Sequence, residues 1–237
     1  LLALTASEDL DVQSLALASL HWTRGDDPAV RARLVEALSS AATDGPLRGR
    51  WILALGFLGD RARDDADYAT GAIAYRKALE LSPNEPRVLH ALGQLHNRSG
   101  SWPLAIQAIG QSLVADPDQP LAWVNLGIAQ AGNGDPEAAR TSYESALQLN
   151  PHESLAHFNL GNAHQRAQRH EEAAIAYARA VDADPGLGLA HFELGRTYIR
   201  LERFEDALRH ARRAVEFMPD HQSSRQMLAD LERALGA

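Results

Sequence analysis

The sequence predicts an all-α solenoid, a stack of repeated units that each contain two helices. Five prolines recur at intervals of 34 residues, at Pro83, Pro117, Pro151, Pro185 and Pro219. Leu-Gly pairs keep the same interval, at Leu58-Gly59, Leu92-Gly93, Leu126-Gly127, Leu160-Gly161 and Leu194-Gly195. A period of this length is typical of a helix–turn–helix unit, which buries its apolar face only against its neighbours. Apolar residues make up 45% of the chain and aromatic residues only 6%, a composition that favours close helix packing over a sheet core.

Residues 1–45 are predicted to be helical but lie outside the 34-residue phase. Three segments within and just after them look alike, namely 12–20, 30–38 and 47–55. They resemble the helices of HEAT-like repeats, and the alternative is that they are two or three amphipathic helices that extend the solenoid. The chain begins without methionine on residues typical of the end of a helix, Leu1, Leu2 and Leu4. We therefore expect a C-terminal piece of a longer protein, or one whose leader has been removed.

Residues 46–219 are predicted to form five units, in which the Leu-Gly pair belongs to the first helix. The second helix carries a large residue in four units and an alanine in the last: Tyr75, Ile109, Tyr143, Tyr177 and Ala211. A small residue follows three positions later, at Ala78, Ser112, Ala146, Ala180 and Ala214. We expect the glycine to let the second helix approach closely, and the small residue to let the next unit pack against it. Gly100 and Gly134 lie in turns within units, where glycine tolerates a positive φ.

Residues 220–237 are predicted to form a capping helix. One stripe of this segment is apolar, with Leu228, Leu231 and Leu235, and charged residues occupy the other positions. Such a helix covers the exposed face of the last unit, as the ends of a solenoid require.

The repeat resembles the tetratricopeptide repeat, whose signature is W-x2-L-G-x2-Y, then A-x3-F, then P. The third unit is the most similar, with Trp123, Leu126, Gly127, Ala139, Tyr143 and Pro151 in the matching places. Departures are Gln130 in the tyrosine place, His157 and His191 in the tryptophan place, and Gly71 for the usual alanine. The resemblance covers about residues 50–221. It implies a right-handed superhelix of helix–turn–helix units that serves as a scaffold for other proteins.

Charge and composition exclude several classes of function. The formal net charge is −8, whereas nucleic-acid-binding and lipid-binding surfaces are usually basic. No apolar run approaches the roughly 20 residues that span a bilayer, so we expect neither nucleic-acid binding nor membrane insertion. The absence of cysteine leaves the compartment open between a bacterial cytoplasm and the periplasm or cell exterior. A strong excess of arginine over lysine is typical of a GC-rich genome and favours a bacterial source.

No catalytic motif is present: the sequence lacks a glycine-rich phosphate loop, a nucleophile elbow and an H-E-x-x-H motif. The ten histidines are the one feature that suggests metal binding. His157 and His191, however, occupy a repeat position that packs an aromatic ring, and we expect core packing with one hydrogen-bonded nitrogen. The prediction is therefore a protein that is not an enzyme and that has no metal and no cofactor.

The resemblance implies that the first helix of each unit lines a concave groove. The fifth position of successive first helices reads Gly56, His90, Val124, Phe158 and Phe192. It contains no lysine, so the carboxylate clamp of one family subclass is absent. The sixth position contains Asn125 and Asn159, which match an asparagine ladder that holds peptide backbones in O-linked N-acetylglucosamine transferase. The alternative is that each amide only bonds a neighbouring helix.

The candidate groove comprises ten residues, namely Val124, Asn125, Ile128, Phe158, Asn159, Asn162, Arg166, Phe192, Arg196 and Arg200. Its amides, apolar strip and arginines predict an acidic–apolar peptide or protein as the partner. One alternative is a non-catalytic helical tail of a larger bacterial enzyme or multihaem c-type cytochrome that mediates assembly. Another is self-assembly, or contact with an upstream domain, through the open N-terminal face.

Overall fold

The computed structural model describes residues 48–236, and these residues contain eleven α-helices and no strand. The predicted HEAT-like segment, residues 1–45, lies outside the described residues. The helices are α1 (Arg48–Asp64), α2 (Tyr68–Leu81), α3 (Pro86–Arg98), α4 (Trp102–Ala115), α5 (Pro120–Gly132), α6 (Pro136–Leu149), α7 (Ser154–Arg166), α8 (His170–Ala183), α9 (Gly188–Arg200), α10 (Phe204–Phe217) and α11 (Gln222–Leu235). Odd-numbered helices up to α9 are the first helices of units, and even-numbered helices are the second. The predicted all-α solenoid is confirmed.

The chain divides into two compact halves between Asp118 and Gln119. In the N-terminal half, the described helices α1 to α4 enclose a core around Leu55, Tyr75 and Leu95. The C-terminal half contains α5 to α11, in which each helix packs on the next. All ten predicted groove residues belong to this C-terminal half, on α5, α7 and α9, the first helices of its three repeat units.

Within a helix pair, the first-helix glycine lies directly against the large residue of the second helix. A Cβ atom added to Gly161 would lie 2.5 Å from ring carbons of Tyr177, and one on Gly59 would lie 2.6 Å from Tyr75 Cε1. Real Cβ atoms do not approach other atoms so closely, so any side chain there would push the two helices apart. In the last unit, where alanine replaces the tyrosine, Met227 of α11 fills this place, 3.1 Å from a Cβ on Gly195.

The column of small residues on the second helices is completely buried. Its members are all 0% exposed: Ala78, Ser112, Ala146, Ala180 and Ala214. The one hydroxyl in the column, on Ser112, donates to the carbonyl of Pro86 at 2.8 Å, which satisfies its polar group in the core. The sequence-based expectation of tight packing along this column therefore matches the observed burial.

The turn within each unit contains one residue in the left-handed conformation. This position is occupied by glycine in two units, at Gly100 and Gly134, and by other residues in three, at Ala66, Gln168 and Glu202. The three non-glycine residues all have a φ of 59°, so the turn keeps its geometry whatever the side chain. Left-handed backbone is unfavourable for residues with a Cβ, and the three turns therefore carry local strain.

Candidate functional site

The two asparagines of the predicted ladder have the same local geometry in successive units. Asn125 Nδ2 donates to the carbonyl of Leu121 at 2.9 Å, and Asn159 Nδ2 donates to the carbonyl of Leu155 at 2.8 Å. Each bond runs one turn back along the asparagine's own helix, not to a neighbouring helix. A side-chain amide has two N–H donors and a carbonyl acceptor, so this bond uses only part of the hydrogen-bonding capacity of Asn159.

The apolar members of the predicted groove differ in burial. Val124 is 1% exposed and packs in a core cluster with Tyr143 and Ala146, so its side chain is not on the groove surface. Phe158 and Phe192 are half-buried. The ring of Phe158 packs against Tyr177 with ring centroids 5.7 Å apart, and Phe192 packs against the core between α10 and α11. Ile128 is also half-buried against the core of its unit. The two rings and Ile128 therefore border the surface, whereas Val124 lies beneath it.

Three exposed leucines, which the sequence analysis did not single out, complete the apolar surface. They are Leu121, Leu155 and Leu189, with 49%, 40% and 46% of their area exposed. All three occupy the second position of a first helix, one turn before Asn125, Asn159 and Glu193 respectively. The signal that could have found them is the 34-residue interval itself, read at this position.

Arginines lie at the C-terminal end of the same surface. Arg166 and Arg200 are exposed and occupy the same position in successive units. Among the described residues, no carboxylate lies within ion-pair distance of either of them. Arg196 instead pairs with Glu193 at 3.1 Å and lies over the ring of Phe192, with its guanidinium carbon 5.6 Å from the ring centroid. Two of the three predicted arginines thus present charge to solvent.

Asn162 takes part in a contact between helices. Its side-chain oxygen accepts a hydrogen bond from the Tyr177 hydroxyl at 2.7 Å. Three units earlier, Asp60 accepts the equivalent hydrogen bond from the Tyr75 hydroxyl at 2.6 Å. Burial, with the nearby Glu193 carboxylate as a smaller cause, raises the pKa of Tyr177 well above its ordinary value. The hydroxyl therefore stays protonated, and Asn162 acts as its acceptor.

An open hollow of about 670 Å³ lies at the C-terminal end of this surface, between α9, the start of α10 and α11. Phe192, Arg196 and Ile199 form one wall, and Met227 and Leu231 are on the facing wall. The hollow extends the apolar surface of α9 onto the last helix. Sequence reasoning missed its α11 side because that helix was treated only as a cap.

The histidines of the tryptophan position serve packing. His157 Nε2 lies 3.0 Å from the Pro151 carbonyl and His191 Nε2 lies 3.1 Å from the Pro185 carbonyl, and both side chains are buried. His191 Nδ1 also contacts His210 Nδ1 at 2.9 Å. Over residues 48–236, the histidine, aspartate and glutamate side chains form no group of three that could hold a metal ion. The same stretch has no helix of the length and apolarity needed to cross a membrane.

Helix pairs that repeat along the chain, with the first helices α5, α7 and α9 on one surface, define a helical-repeat protein of the scaffold class. Tetratricopeptide repeat models match residues 58–120, 124–187 and 188–221. The chain belongs to the tetratricopeptide repeat family, whose members are scaffolds for interactions between proteins.

Solved structures with the same fold agree with this assignment. MamA is 26% identical, with a TM-score of 0.58, and the match covers 68% of this chain and 94% of MamA. YrrB, a tetratricopeptide repeat protein with an unusual peptide-binding site, is 20% identical over 78% of this chain and 98% of its own, with a TM-score of 0.55. The thermophilic protein TTC0263 of Thermus thermophilus is 18% identical over 76% of this chain and 98% of its own, with a TM-score of 0.63. Among curated proteins, none matches the chain.

Proposed function

We propose that this protein binds an extended peptide segment of a partner protein on the surface formed by α5, α7 and α9, and that it catalyses no reaction. The observation that carries the proposal is the repetition of a leucine and an amide on successive first helices. Leu121 and Asn125 form one pair, and Leu155 and Asn159 form the next, with the same hydrogen bond in both. We call this set, together with Leu189, the leucine–amide ladder.

The ladder offers what an extended peptide requires. Exposed leucines and the edges of Phe158 and Phe192 supply apolar area, which is worth about 25 cal/mol for each Å² removed from water. The amide of Asn159 can pair with a peptide N–H or C=O whatever the guest's side chains are. Arg166 and Arg200 favour acidic side chains, which gives the preference for an acidic–apolar guest.

The test is selection of a displayed library of random peptides on the full chain, followed by titration of the selected peptides. Leu155→Lys places a charge in the middle of the ladder and should abolish binding. Ile175→Lys makes the same change at a residue that is 56% exposed on the second helix α8, and should leave affinity unchanged. Equal loss in both variants, or selected peptides that bind both as well as the original protein, would contradict the proposal.

The helical-tail and self-assembly alternatives stay predictions. The described residues contain no feature that favours either of them over peptide binding.

A further inference from the structure

The spacing of the ladder favours one guest conformation. Successive rungs lie on first helices that touch: α5 contacts α7, and Thr197 Oγ1 of α9 lies 3.0 Å from Gln165 Oε1 of α7, whereas its shorter hydrogen bond, at 2.7 Å, goes to the Glu193 carbonyl on its own helix. Helices packed in this way have axes about 8–10 Å apart. A guest that presents the same side chain to each rung must therefore repeat over roughly that distance.

Three regular conformations can be compared with this spacing. A β-strand returns to the same face after two residues, about 6.6–6.8 Å, which is too short. Seven residues of an α-helix span about 10.5 Å, but an α-helix pairs its own backbone groups and leaves none for the amides. A polyproline II helix returns to the same face after three residues, about 9.3 Å, and its backbone is free of internal hydrogen bonds.

The arginines repeat with the same spacing and occupy a different part of the surface. Leu155 and Arg166 are eleven residues apart on α7, about 16 Å along the helix axis. Leu189 and Arg200 have the same separation on α9. On α7, Asn159 lies between Leu155 and Arg166, so the amide separates the row of leucines from the row of arginines. A guest that lies over the amides can reach the leucines with one face and the long arginine side chains with another.

We infer that the guest binds as a polyproline II helix with an apolar residue at every third position and acidic residues on an adjacent face. This inference rests on the proposed function and specifies its guest. The three faces of such a helix match the surface in turn: one contacts the leucines, one faces the arginines, and the third, where proline fits, faces solvent.

The experiment compares designed peptides of equal length on the full chain. The first repeats Leu-Pro-Glu, and the second has the same composition with its leucines gathered into one stretch where they occupy every second position. The third is a helix-forming peptide with leucines at heptad spacing and glutamate elsewhere, and the fourth repeats Leu-Pro-Lys. We expect the first to bind about tenfold more tightly than each of the others, which corresponds to about 1.4 kcal/mol.

Two double variants test whether the leucines and the arginines produce these differences in affinity. Leu155→Ala with Leu189→Ala should remove the advantage of the three-residue period, and Arg166→Ala with Arg200→Ala should remove the advantage of glutamate over lysine. Ile175→Ala is the matched control and should change neither. All these side chains are exposed or partly exposed, so thermal melts should show that each variant stays folded.

The outcomes separate this inference from the proposed function. Equal or tighter binding of the strand-spaced or helical peptide, lost with Asn159→Ala, would overturn the inference and leave peptide binding standing. If no designed peptide binds while library-selected peptides without a three-residue apolar period do, the inference alone also fails. If neither designed nor selected peptides bind, both fail.

Discussion

Three residues of this chain adopt a left-handed backbone conformation at a cost. Gln168, like Ala66 and Glu202, has a φ of 59° in a turn where two other units have glycine. Because the strain of a Cβ there exceeds the extra chain entropy that glycine has in the unfolded state, Gln168→Gly should stabilise the fold by roughly 0.5–1 kcal/mol. Chemical denaturation measures the change.

The converse substitution is the control for this prediction. Gly134 has a φ of 87°, and no neighbouring atom would contact an added Cβ, so Gly134→Ala tests backbone strain alone. It should lower stability by about 1 kcal/mol. A stabilised Gly134→Ala variant, or a destabilised Gln168→Gly variant, would show that the turn does not require the left-handed conformation.

The paired histidines predict a dependence of stability on pH. His191 Nε2 donates to the Pro185 carbonyl, so its Nδ1 accepts the proton that His210 Nδ1 carries. Burial, and then the neighbouring His191, lower the pKa of His210 to about 4. Between about pH 4 and 6.5 the unfolded chain binds more protons at this position than the folded one. The stability that neutral His210 contributes is therefore fully present above pH 6.5, the ordinary pKa of histidine, and is lost as the pH falls towards about 4.

His210→Gln keeps a hydrogen-bond donor for His191 but removes the titrating group. Proton uptake on unfolding, measured as the slope of unfolding free energy against pH, should fall by up to about one proton in this window. His90, His96 and His164, whose pKa values are also lowered, remain in both proteins and do not contact His210, so their contribution cancels in the comparison. An unchanged slope would mean that His210 titrates normally in the folded state.

At the scale of helices, the fold depends on close contacts at small residues. Ala180 is 0% exposed on α8, in the column that also contains Ala146 and Ala214. Ala180→Leu should overpack this contact and cost about 1–3 kcal/mol. The matched control is Ala229→Leu on α11, an exposed alanine, which should change the denaturation midpoint little. Equal midpoints for the two variants would contradict the role of the column.

Much of this architecture could be predicted from the repeat because one geometry recurs at a fixed interval. The close approach of Gly161 to Tyr177 and the packing of His157 with one hydrogen-bonded nitrogen could both be predicted from positions that recur at this interval, whereas the partner of that nitrogen, the Pro151 carbonyl, could not. The burial of Val124 could not be predicted in this way. A repeat position fixes the direction of a side chain, whereas its exposure depends on its size and on the neighbouring helices, and a phenylalanine at the same position reaches the surface.

The candidate site was only partly predictable for the same reason. The amides, rings and arginines entered the predicted site because their types suggest chemistry. Leu121, Leu155 and Leu189 did not, because a leucine at helical spacing ordinarily indicates core. Asn162 was predicted to line the groove, whereas in the structure its side-chain oxygen accepts a hydrogen bond from the Tyr177 hydroxyl.

At the scale of the whole molecule, a net charge of −8 coexists with a basic end of the candidate surface. Arg166 and Arg200 should therefore raise the affinity for an acidic guest at low ionic strength. Part of this added affinity should be lost at physiological ionic strength, where salt shortens the screening distance to about 8 Å. The salt dependence of binding should become weaker in the double variant Arg166→Ala with Arg200→Ala. Identical salt dependence in both proteins would exclude these arginines from the binding surface.

The central claim is that the leucine–amide ladder binds a peptide backbone. Each backbone hydrogen bond is worth only about 0.5–1.5 kcal/mol net, so a single substitution is hard to measure and the double substitution is needed. The direct test is the dissociation constant of a library-selected peptide for the original chain and for Asn125→Ala with Asn159→Ala, with a thermal melt of each. We expect about tenfold weaker binding with an unchanged melting temperature. Unchanged affinity with a lowered melting temperature would contradict it, and would mean that these amides only support their own helices.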